Sequence, residues 1–154
     1  MNRNFFLSLI LLLIFSSCGY SPTFKNSFNK DINIKIMKMS GNNLINTQIN
    51  SRLAVYSKNV AKILHKITIY TSEEKKDISK DSTGKTTNYQ LKLTAQFDVE
   101  TTKLNKKIII EESFILNNSN NIFNINENEN IIKKDFANIA SEKLLAQLLL
   151  LSNQ

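Results

Sequence analysis

The sequence predicts an α+β fold in which two helices pack on one face of a four-stranded, mostly antiparallel sheet. Three observations predict it: strict apolar alternation in residues 89–99, a second apolar segment soon after it, and two segments with apolar residues at helical spacing. In chain order the elements are strand, helix, three strands and helix. One apolar sheet face and two apolar helix stripes are all buried if both helices cover the same face.

The first half of the domain is expected to form a strand, a helix and a second strand. Residues 31–39 alternate isoleucine with polar residues, which predicts a half-buried strand. The turn at residues 40–43 supplies an N-cap, and apolar residues three or four positions apart predict a helix over residues 43–58. Residues 66–72 predict a short strand. The charged residues 73–85 are expected to form a solvated loop.

The next segment is expected to form a β-hairpin. Residues 89–99 are its first strand, and TTKLNKK turns the chain into a second strand over residues 108–116. Glu112 falls on the apolar face of that second strand, so either a bulge changes the register or the apolar face ends there. The Asn-rich residues 117–130 are expected to be a long loop that docks locally.

The last element is predicted to be a long helix over residues 127–151. Asn126 and Glu129 have the spacing of a capping box, and acidic residues in a first turn suit the helix dipole. The expected core stripe of this helix consists of Ile132, Phe136, Ile139, Ala140, Leu144, Leu148 and Leu149.

The N-terminus has the pattern of a secretory signal peptide. Arg3 precedes an apolar run over residues 5–15, and small residues follow it. The run is shorter than the about 20 residues that a membrane-spanning helix needs. An apolar helix of a cytosolic protein is the alternative, but the downstream sequence offers no equally apolar partner for a segment without a polar face.

The residues after the apolar run match a bacterial lipobox. Ser16, Ser17 and Cys18 fit the pattern, whereas Phe15 stands where leucine is usual. In a lipoprotein, Cys18 carries a diacylglycerol group and an N-acyl chain, and two or three chains together give a stable anchor. Cys18 is the only cysteine, which excludes an internal disulfide. By resemblance to other lipoproteins, Gly19 in place of aspartate favours the outer membrane.

These features divide the chain into a signal peptide (1–17), a lipidated tether (18–30) and a single domain (31–154). The composition, 42% hydrophobic and 21% charged, is that of a folded domain. The net charge of +7 indicates an anionic neighbour such as a membrane surface, a glycolipid or a nucleic acid. Export makes nucleic acid an improbable partner, and the lysine-rich, asparagine-rich composition is what an AT-rich genome would produce.

Few residues in the chain suit catalysis. His65 is the only histidine, and the three glycines form no phosphate-binding loop. Glu111 and Glu112 are adjacent on a predicted strand, so they point to opposite faces and cannot act as a carboxylate pair. We expect no enzymatic activity, no metal and no cofactor other than the covalent lipid.

The chain resembles the LPS-assembly lipoprotein LptE family of Gram-negative bacteria. The resemblance rests on CGYSP after the lipobox, on the βαβββα order, on TTNYQLKLTAQFDV before the hairpin turn, and on the terminal FANIASEKLLAQLLLL. It implies an outer-membrane lipoprotein on the periplasmic side that plugs the β-barrel LptD, helps to assemble it and takes part in lipopolysaccharide (LPS) delivery to the outer leaflet. The alternative is a scaffold or pilotin of another envelope complex that binds no glycolipid.

Two groups of lysines are candidates for contact with LPS. The first flanks the hairpin turn and comprises Lys103, Lys106 and Lys107. The second lies in the expected charged loop and comprises Lys75, Lys76, Lys80 and Lys85. The two groups should lie at opposite ends of an antiparallel sheet. Ordinary solvated surface is the alternative interpretation of both groups.

Overall fold

The computed structural model describes residues 32–58, 63–102, 104–118 and 122–152. The elements are β1 (Asn33–Ser40), α1 (Asn43–Leu53), a 3-10 helix (Ala54–Tyr56), β2 (Leu64–Lys80), β3 (Thr86–Glu100), β4 (Asn105–Asn117) and α2 (Ile122–Ser152). The predicted α+β fold class and the βαβββα order are therefore confirmed. The predicted signal peptide and tether lie outside the described residues.

The four strands form one sheet in the order β1-β2-β3-β4. Strand β1 pairs with β2 in parallel, and the other two pairs are antiparallel. A parallel pair needs a crossover connection, which α1 supplies, whereas tight turns join the antiparallel strands. The sheet is thus mostly antiparallel, as predicted, with β1 and β4 at its edges.

The core lies between one sheet face and both helices. Strand β3 alternates as predicted, and Leu91, Leu93, Ala95 and Phe97 are completely buried. Burying a Leu or Phe side chain contributes roughly 1.5–3 kcal/mol, so this strand is a main source of stability. From the helices, the core receives Ile45, Ile49, Leu53, Phe136, Ala140, Leu144 and Leu148. The predicted stripe is wrong at Ile139, which is 36% exposed.

The connection from β1 to α1 depends on two residues. Asn42 is the predicted N-cap, and its side chain accepts a hydrogen bond from the Ile45 N–H at 3.0 Å. Gly41 before it has a φ of 102°, a left-handed conformation that favours glycine. A Cβ at Gly41 would lie 1.7 Å from the Thr71 carbonyl oxygen, so no other residue fits this close approach.

Strand β2 is much longer than predicted, and the prediction of a charged loop over residues 73–85 is wrong. The strand continues to Lys80 and pairs with β3 almost to its end, leaving a turn at residues 81–85. A strand forms when its backbone N–H and C=O groups pair with those of a neighbouring strand, whatever the polarity of its side chains. Strand β3 is long enough to pair with the charged residues 73–80 of β2. The missing apolar alternation in residues 73–80 concealed the strand.

The helix boundaries also differ from the predictions. Helix α1 ends at Leu53 and a 3-10 turn follows, so the predicted end at residue 58 is wrong. Helix α2 begins at Ile122, which shortens the predicted loop over residues 117–130. The predicted capping box is therefore wrong, because Asn126 and Glu129 lie inside the helix. Glu129 is buried at 3% exposure by specific partners that sequence spacing does not reveal.

Glu112 stays on the helix-facing side of β4. It lies opposite Leu93, and the β3–β4 register has no shift, so a bulge is excluded. Instead the fully buried part of this face ends at Ile110, and Lys143 of α2 donates a 3.0 Å hydrogen bond to Glu112.

Candidate functional site

The sheet face opposite the helices is open, since no other element among the described residues covers it. Strand β3 presents alternate polar residues on it, all partly exposed: Gln90, Lys92, Thr94, Gln96 and Asp98. Lys92 Nζ lies 3.2 Å from Glu111 Oε2 on β4. The face is therefore polar and carries both signs of charge, as expected for the solvated side of an antiparallel sheet.

Apolar side chains interrupt this polar face near edge strand β4. Ile109 is 54% exposed and Ile115 is 72% exposed. The register places Ile109 beside Gln96, which has Tyr70 of β2 on its other side. An edge strand with exposed apolar side chains favours pairing or contact with another chain, so this margin suits a protein partner.

The first group of lysines lies at the end of the sheet where β3 turns into β4. The Thr101 N–H donates to the Leu104 carbonyl oxygen at 2.9 Å and closes this turn. Lys106 and Lys107 are exposed at the start of β4, but as neighbours in a strand they point to opposite faces. Lys103, like the lipidation candidate Cys18, lies outside the described residues.

The second group does not form the single loop patch that was predicted. Lys75 and Lys76 are consecutive residues within β2 and therefore face opposite sides of the sheet. Lys80 ends the strand, and only Lys85 lies in the turn. Lys76, Lys80 and Lys85 are exposed, whereas Lys75 contacts the partners described below.

The turn between β2 and β3 is organised by one carboxylate. Asp81 Oδ1 accepts hydrogen bonds from the Thr83 hydroxyl at 2.6 Å, the Thr83 N–H at 2.9 Å and the Lys85 N–H at 3.0 Å. The bond from the Thr83 hydroxyl is the main reason why the pKa of Asp81 lies below its ordinary value. This exposed turn is thus well defined, and it holds Lys85 at the tip of the hairpin.

The two turns lie at opposite ends of the sheet, as predicted. Strand β3 has 15 residues and connects them. At about 3.3 Å per residue it spans roughly 45–50 Å. Lys80 and Lys85 are therefore separated from Lys106 and Lys107 by most of the length of the sheet, whereas Lys75 and Lys76 lie about half as far away, and neither pair can contact one small head group together with Lys106 and Lys107.

An ionic network around buried Glu129 joins the half of the β2–β3 hairpin nearer its turn to α2. Tyr89 donates a hydrogen bond to Glu129 Oε1 at 2.7 Å, and Lys75 Nζ lies 2.7 Å from the same oxygen. Lys133 Nζ lies 2.7 Å from Glu73 Oε2 and 3.6 Å from Glu129 Oε2. Two carboxylates and two ammonium groups thus compensate one another, and this set with Tyr89 is called the ionic network below.

The ionic network shifts the pKa values of two of its members. Burial alone would raise the pKa of Glu129, but hydrogen bonds from Lys75 and Tyr89 and the charges of both lysines outweigh it and hold that pKa below its ordinary value. Burial, together with the hydrogen bond to the Glu129 carboxylate, raises the pKa of Tyr89 far above its ordinary value. Glu129 is therefore charged and Tyr89 neutral at physiological pH.

Sequence reasoning missed this network. Its members are up to 60 residues apart in the chain, from Glu73 to Lys133. The one available signal was the spacing of Glu129 and Lys133, which places opposite charges one helical turn apart if the helix is known to extend that far.

The described part of the chain shows no cluster of three or more His, Cys, Asp or Glu side chains that could hold a metal ion. His65 is 1% exposed, and its Nδ1 lies 3.3 Å from the Asn33 carbonyl oxygen. Burial lowers the pKa of His65, against a smaller opposing effect of that backbone contact. A neutral histidine bound to a neighbouring strand has a structural role. Within the same ranges, no helix is long and apolar enough to cross a membrane.

Solved structures with a similar fold are bacterial lipoproteins. Rare lipoprotein B from Shewanella oneidensis is 15% identical with a TM-score of 0.56, and the match covers 75% of this chain and 94% of that one. A putative lipoprotein from Caulobacter crescentus is 14% identical, with a TM-score of 0.51 and coverage of 79% and 92%. Lipoprotein B from Nitrosomonas europaea is 13% identical, with a TM-score of 0.53 and coverage of 77% and 84%. At these identities the likeness shows the fold.

The family comparison extends over nearly the whole domain. No curated protein matches the chain. The model of the LptE lipopolysaccharide-assembly family, however, matches residues 21–148, from the predicted tether to Leu148 near the end of α2. The chain therefore belongs to the LptE lipopolysaccharide-assembly family, and this membership implies a role in lipopolysaccharide transport.

Proposed function

We propose that this protein is an outer-membrane lipoprotein that plugs an LptD-like β-barrel, helps to assemble it and takes part in delivering LPS to the outer leaflet. Its anchor would be the diacylglycerol and N-acyl chains on Cys18, left after removal of residues 1–17, and its domain would lie on the periplasmic side. The proposal assigns no catalytic step to the protein, and the covalent lipid is its only cofactor.

The open sheet face is the observation that carries this proposal. The lumen of a large outer-membrane barrel is polar, so a domain seated there needs a polar outer surface around an apolar core. The alternate polar residues of β3 meet this need, and exposed Ile109 and Ile115 add apolar contacts at the sheet edge. The ionic network supports the same role, because it attaches the half of the hairpin nearer its turn to α2.

The length of the sheet is also compatible with a plug. Its roughly 45–50 Å exceed the about 25 Å height of the apolar band of an outer-membrane barrel. A domain aligned with the barrel axis would extend beyond that band and would place lysines at both ends. Lysine ammonium groups bind phosphates as point charges, and the phosphates of LPS are such ligands.

Site-specific crosslinking tests the barrel contact. Photo-crosslinkers at Gln90, Lys92 and Gln96 on the open sheet face should give adducts with a large outer-membrane barrel, to be identified by mass spectrometry. The matched position Lys134, exposed on α2, reports whether contact is confined to the sheet face. Adducts with other envelope proteins and none with a barrel would favour the scaffold or pilotin alternative.

The anchor has a separate test. Replacing Cys18 with Ser should abolish incorporation of labelled fatty acid and release the protein from the membrane. Labelling that persists in this variant would contradict lipidation at Cys18.

For contact with LPS, the β3–β4 end is the primary candidate, through Lys103, Lys106 and Lys107. A single exposed charge contributes little, so the informative variant changes all three lysines to Gln. It should weaken LPS binding by the purified protein, and raising the salt concentration should weaken binding by the parent. The matched control changes Lys76, Lys80 and Lys85 to Gln at the opposite end. A greater loss in the control would assign LPS contact to the β2–β3 hairpin.

A further inference from the structure

The two edge strands of the sheet differ in how well their free edges are protected. Strand β1 has a register shift between Ile36 and Lys38, and it exposes Lys35 and Lys38. Bulges and lysines of this kind discourage pairing with another chain. Strand β4 pairs with β3 without a shift and exposes Ile109 and Ile115. No strand covers its outer edge within the described residues, so β4 is the edge that is open to pairing.

The hydrogen bonds of the β3–β4 hairpin determine which backbone groups of β4 are directed outward. The Thr101 N–H donates to the Leu104 carbonyl oxygen at 2.9 Å, and the Asn118 N–H donates to the Thr87 carbonyl oxygen at 2.7 Å. Hydrogen-bonded pairs alternate with other pairs along an antiparallel ladder. The even-numbered residues of β4 therefore direct their N–H and C=O groups toward β3, and the odd-numbered residues 107–117 direct theirs outward.

The sequence of β4 is self-complementary in one antiparallel register. When the Glu112 residues of two copies lie opposite each other, every apolar residue of one β4 strand lies opposite an apolar residue of the other. The pairs are Ile108–Leu116, Ile109–Ile115 and Ile110–Phe114. This register also places odd-numbered residues opposite odd-numbered residues, so the outward-directed backbone groups meet. A shift of the axis by one residue in either direction would place Ile109 opposite a polar residue.

Helix α2 continues the same apolar edge above the sheet. Lys143 contacts Glu112 of β4, so this lysine marks the side of α2 that faces the edge. Ile139 and Leu150 lie four residues before and seven residues after Lys143, which places them on the same side of the helix. They are 36% and 67% exposed. Ile139 therefore fits the apolar stripe of the sequence although its own sheet does not cover it.

We propose that two copies of this chain pair through β4, with Glu112 on the twofold axis, and form one eight-stranded sheet with four helices on one face. The α2 helices of the two copies then lie side by side, where Ile139 and Leu150 contact the second copy. Two strands occupy about 9–10 Å across a sheet, which is also the distance between packed helices. Four helices therefore cover eight strands without a clash.

The size and the charge of this interface suit a stable dimer. The edge of β4 has 13 residues and is about 43 Å long, and a sheet with one layer of helices is roughly 20 Å thick. Each copy thus buries on the order of 800 Å², the size of a standard protein–protein interface. Glu111 and Glu112 do not oppose pairing, because each forms an ion pair with a lysine of its own copy.

The dimer does not depend on the proposed contact with a barrel. Both contacts use Ile109 and Ile115, so they exclude each other. The dimer is therefore a state of the protein outside a barrel, in which the apolar edge of the sheet is covered.

Single cysteines in the full chain test the dimer and its register. Glu112→Cys places two thiols at a pair without backbone hydrogen bonds, where Cα atoms about 4.5 Å apart allow a disulfide. Oxidation should give roughly tenfold more linked dimer than Lys35→Cys on the protected edge. Glu111→Cys and Ser113→Cys, one residue to either side, should give no such excess. Non-reducing electrophoresis and mass spectrometry of the linked peptide measure the yields, and the parent with Cys18 gives the background.

A second set of variants tests the apolar pairs. Ile109→Glu with Ile115→Glu, added to Glu112→Cys, should reduce the yield of linked dimer to that of Lys35→Cys, because four carboxylates would meet in the interface. The circular dichroism spectrum should stay unchanged, since both isoleucines are exposed.

The matched control adds Val55→Glu and Ile131→Glu, which change two residues of similar exposure outside the interface, and it should leave the yield unchanged. Equal yields for the cysteines on the two edge strands would overturn the proposal. A higher yield at residue 111 or 113, or links to a different protein instead of a second copy, would overturn it as well.

Discussion

Helix α2 is attached to the sheet in two different ways along its length. Its C-terminal half buries Phe136, Ala140, Leu144 and Leu148 against the apolar centre of the sheet and α1. Its N-terminal half is attached to the β2–β3 hairpin by Glu129 and other members of the ionic network. We call these the apolar half and the ionic half.

The two halves of α2 show that burial of an apolar side chain and burial of a charge have different requirements. An apolar side chain gains from leaving water wherever it is well packed, so the apolar half depends little on the identity of any single partner. A buried charge is stable only with partners of the right geometry, and removing one partner leaves the others uncompensated. We expect the ionic half to respond to pH and single-charge changes, and the apolar half to respond to volume and polarity.

The largest effect is expected from a charge placed in the apolar region. Leu93→Asp should lower the free energy of unfolding by about 4 kcal/mol or more, because Leu93 is completely buried and lies opposite Glu112. Thr94→Asp, one residue away on the open face, should change it by less than about 1 kcal/mol. Chemical denaturation of both variants provides the comparison. A larger effect of Thr94→Asp would reverse the assignment of the two faces.

Breaking the ionic network should have the next largest effect. Glu129→Gln removes the carboxylate charge that compensates the Lys75 ammonium group and partly compensates the Lys133 ammonium group. This change should lower the free energy of unfolding by about 2–3 kcal/mol. The matched control Glu142→Gln, exposed on the same helix, should be almost neutral. Hydrogen exchange should show the loss of protection in the ionic half of α2. Equal loss in both halves would mean that the two halves do not open separately.

Titration of Glu129 and Tyr89 should change the stability of the ionic half by less than the substitutions above. The folded pKa of Glu129 lies below its ordinary value of 4.5, so its contribution is present above that pH and is lost as the pH falls through the folded pKa. The pKa of Tyr89 is raised above its ordinary value of 10.0, so its contribution is present below pH 10.0 and is lost as the pH rises. The difference in stability between the parent and Glu129→Gln should be constant from about pH 6 to 9 and shrink below about pH 4. A difference that stays constant down to about pH 3 would contradict this role for the Glu129 charge.

The smallest effect is expected at the rim of the apolar half. Lys143 and Glu112 form an ion pair at 3.0 Å, but the lysine side chain is 53% exposed. Lys143→Ala should therefore lower the free energy of unfolding by only about 0.5 kcal/mol, and the effect should fall with added salt. Lys134→Ala, also exposed on α2, controls for loss of a charge without this pair. Thermal melts at low and high salt measure the difference.

Much of the fold follows from local sequence patterns. The alternation in residues 89–99 identified the strand whose alternate side chains are buried, and Asn42 marked the start of α1. Phe136, Ala140, Leu144 and Leu148 were read correctly as the core stripe of α2. These predictions succeed because the buried residues are apolar, so that the period of burial is also the period of hydrophobicity.

What the sequence by itself determined is the order of the elements, the apolar core and the family pattern. Only the tertiary structure decided that β2 continues to Lys80, that α2 begins at Ile122, and that the lysines of residues 75–85 do not form one patch. The physical reason is that Glu129 and Lys133 of α2 are buried although they are charged. Their burial is stabilised by Lys75 and Glu73 of β2, as many as 60 residues away in the chain, and no local pattern carries that information.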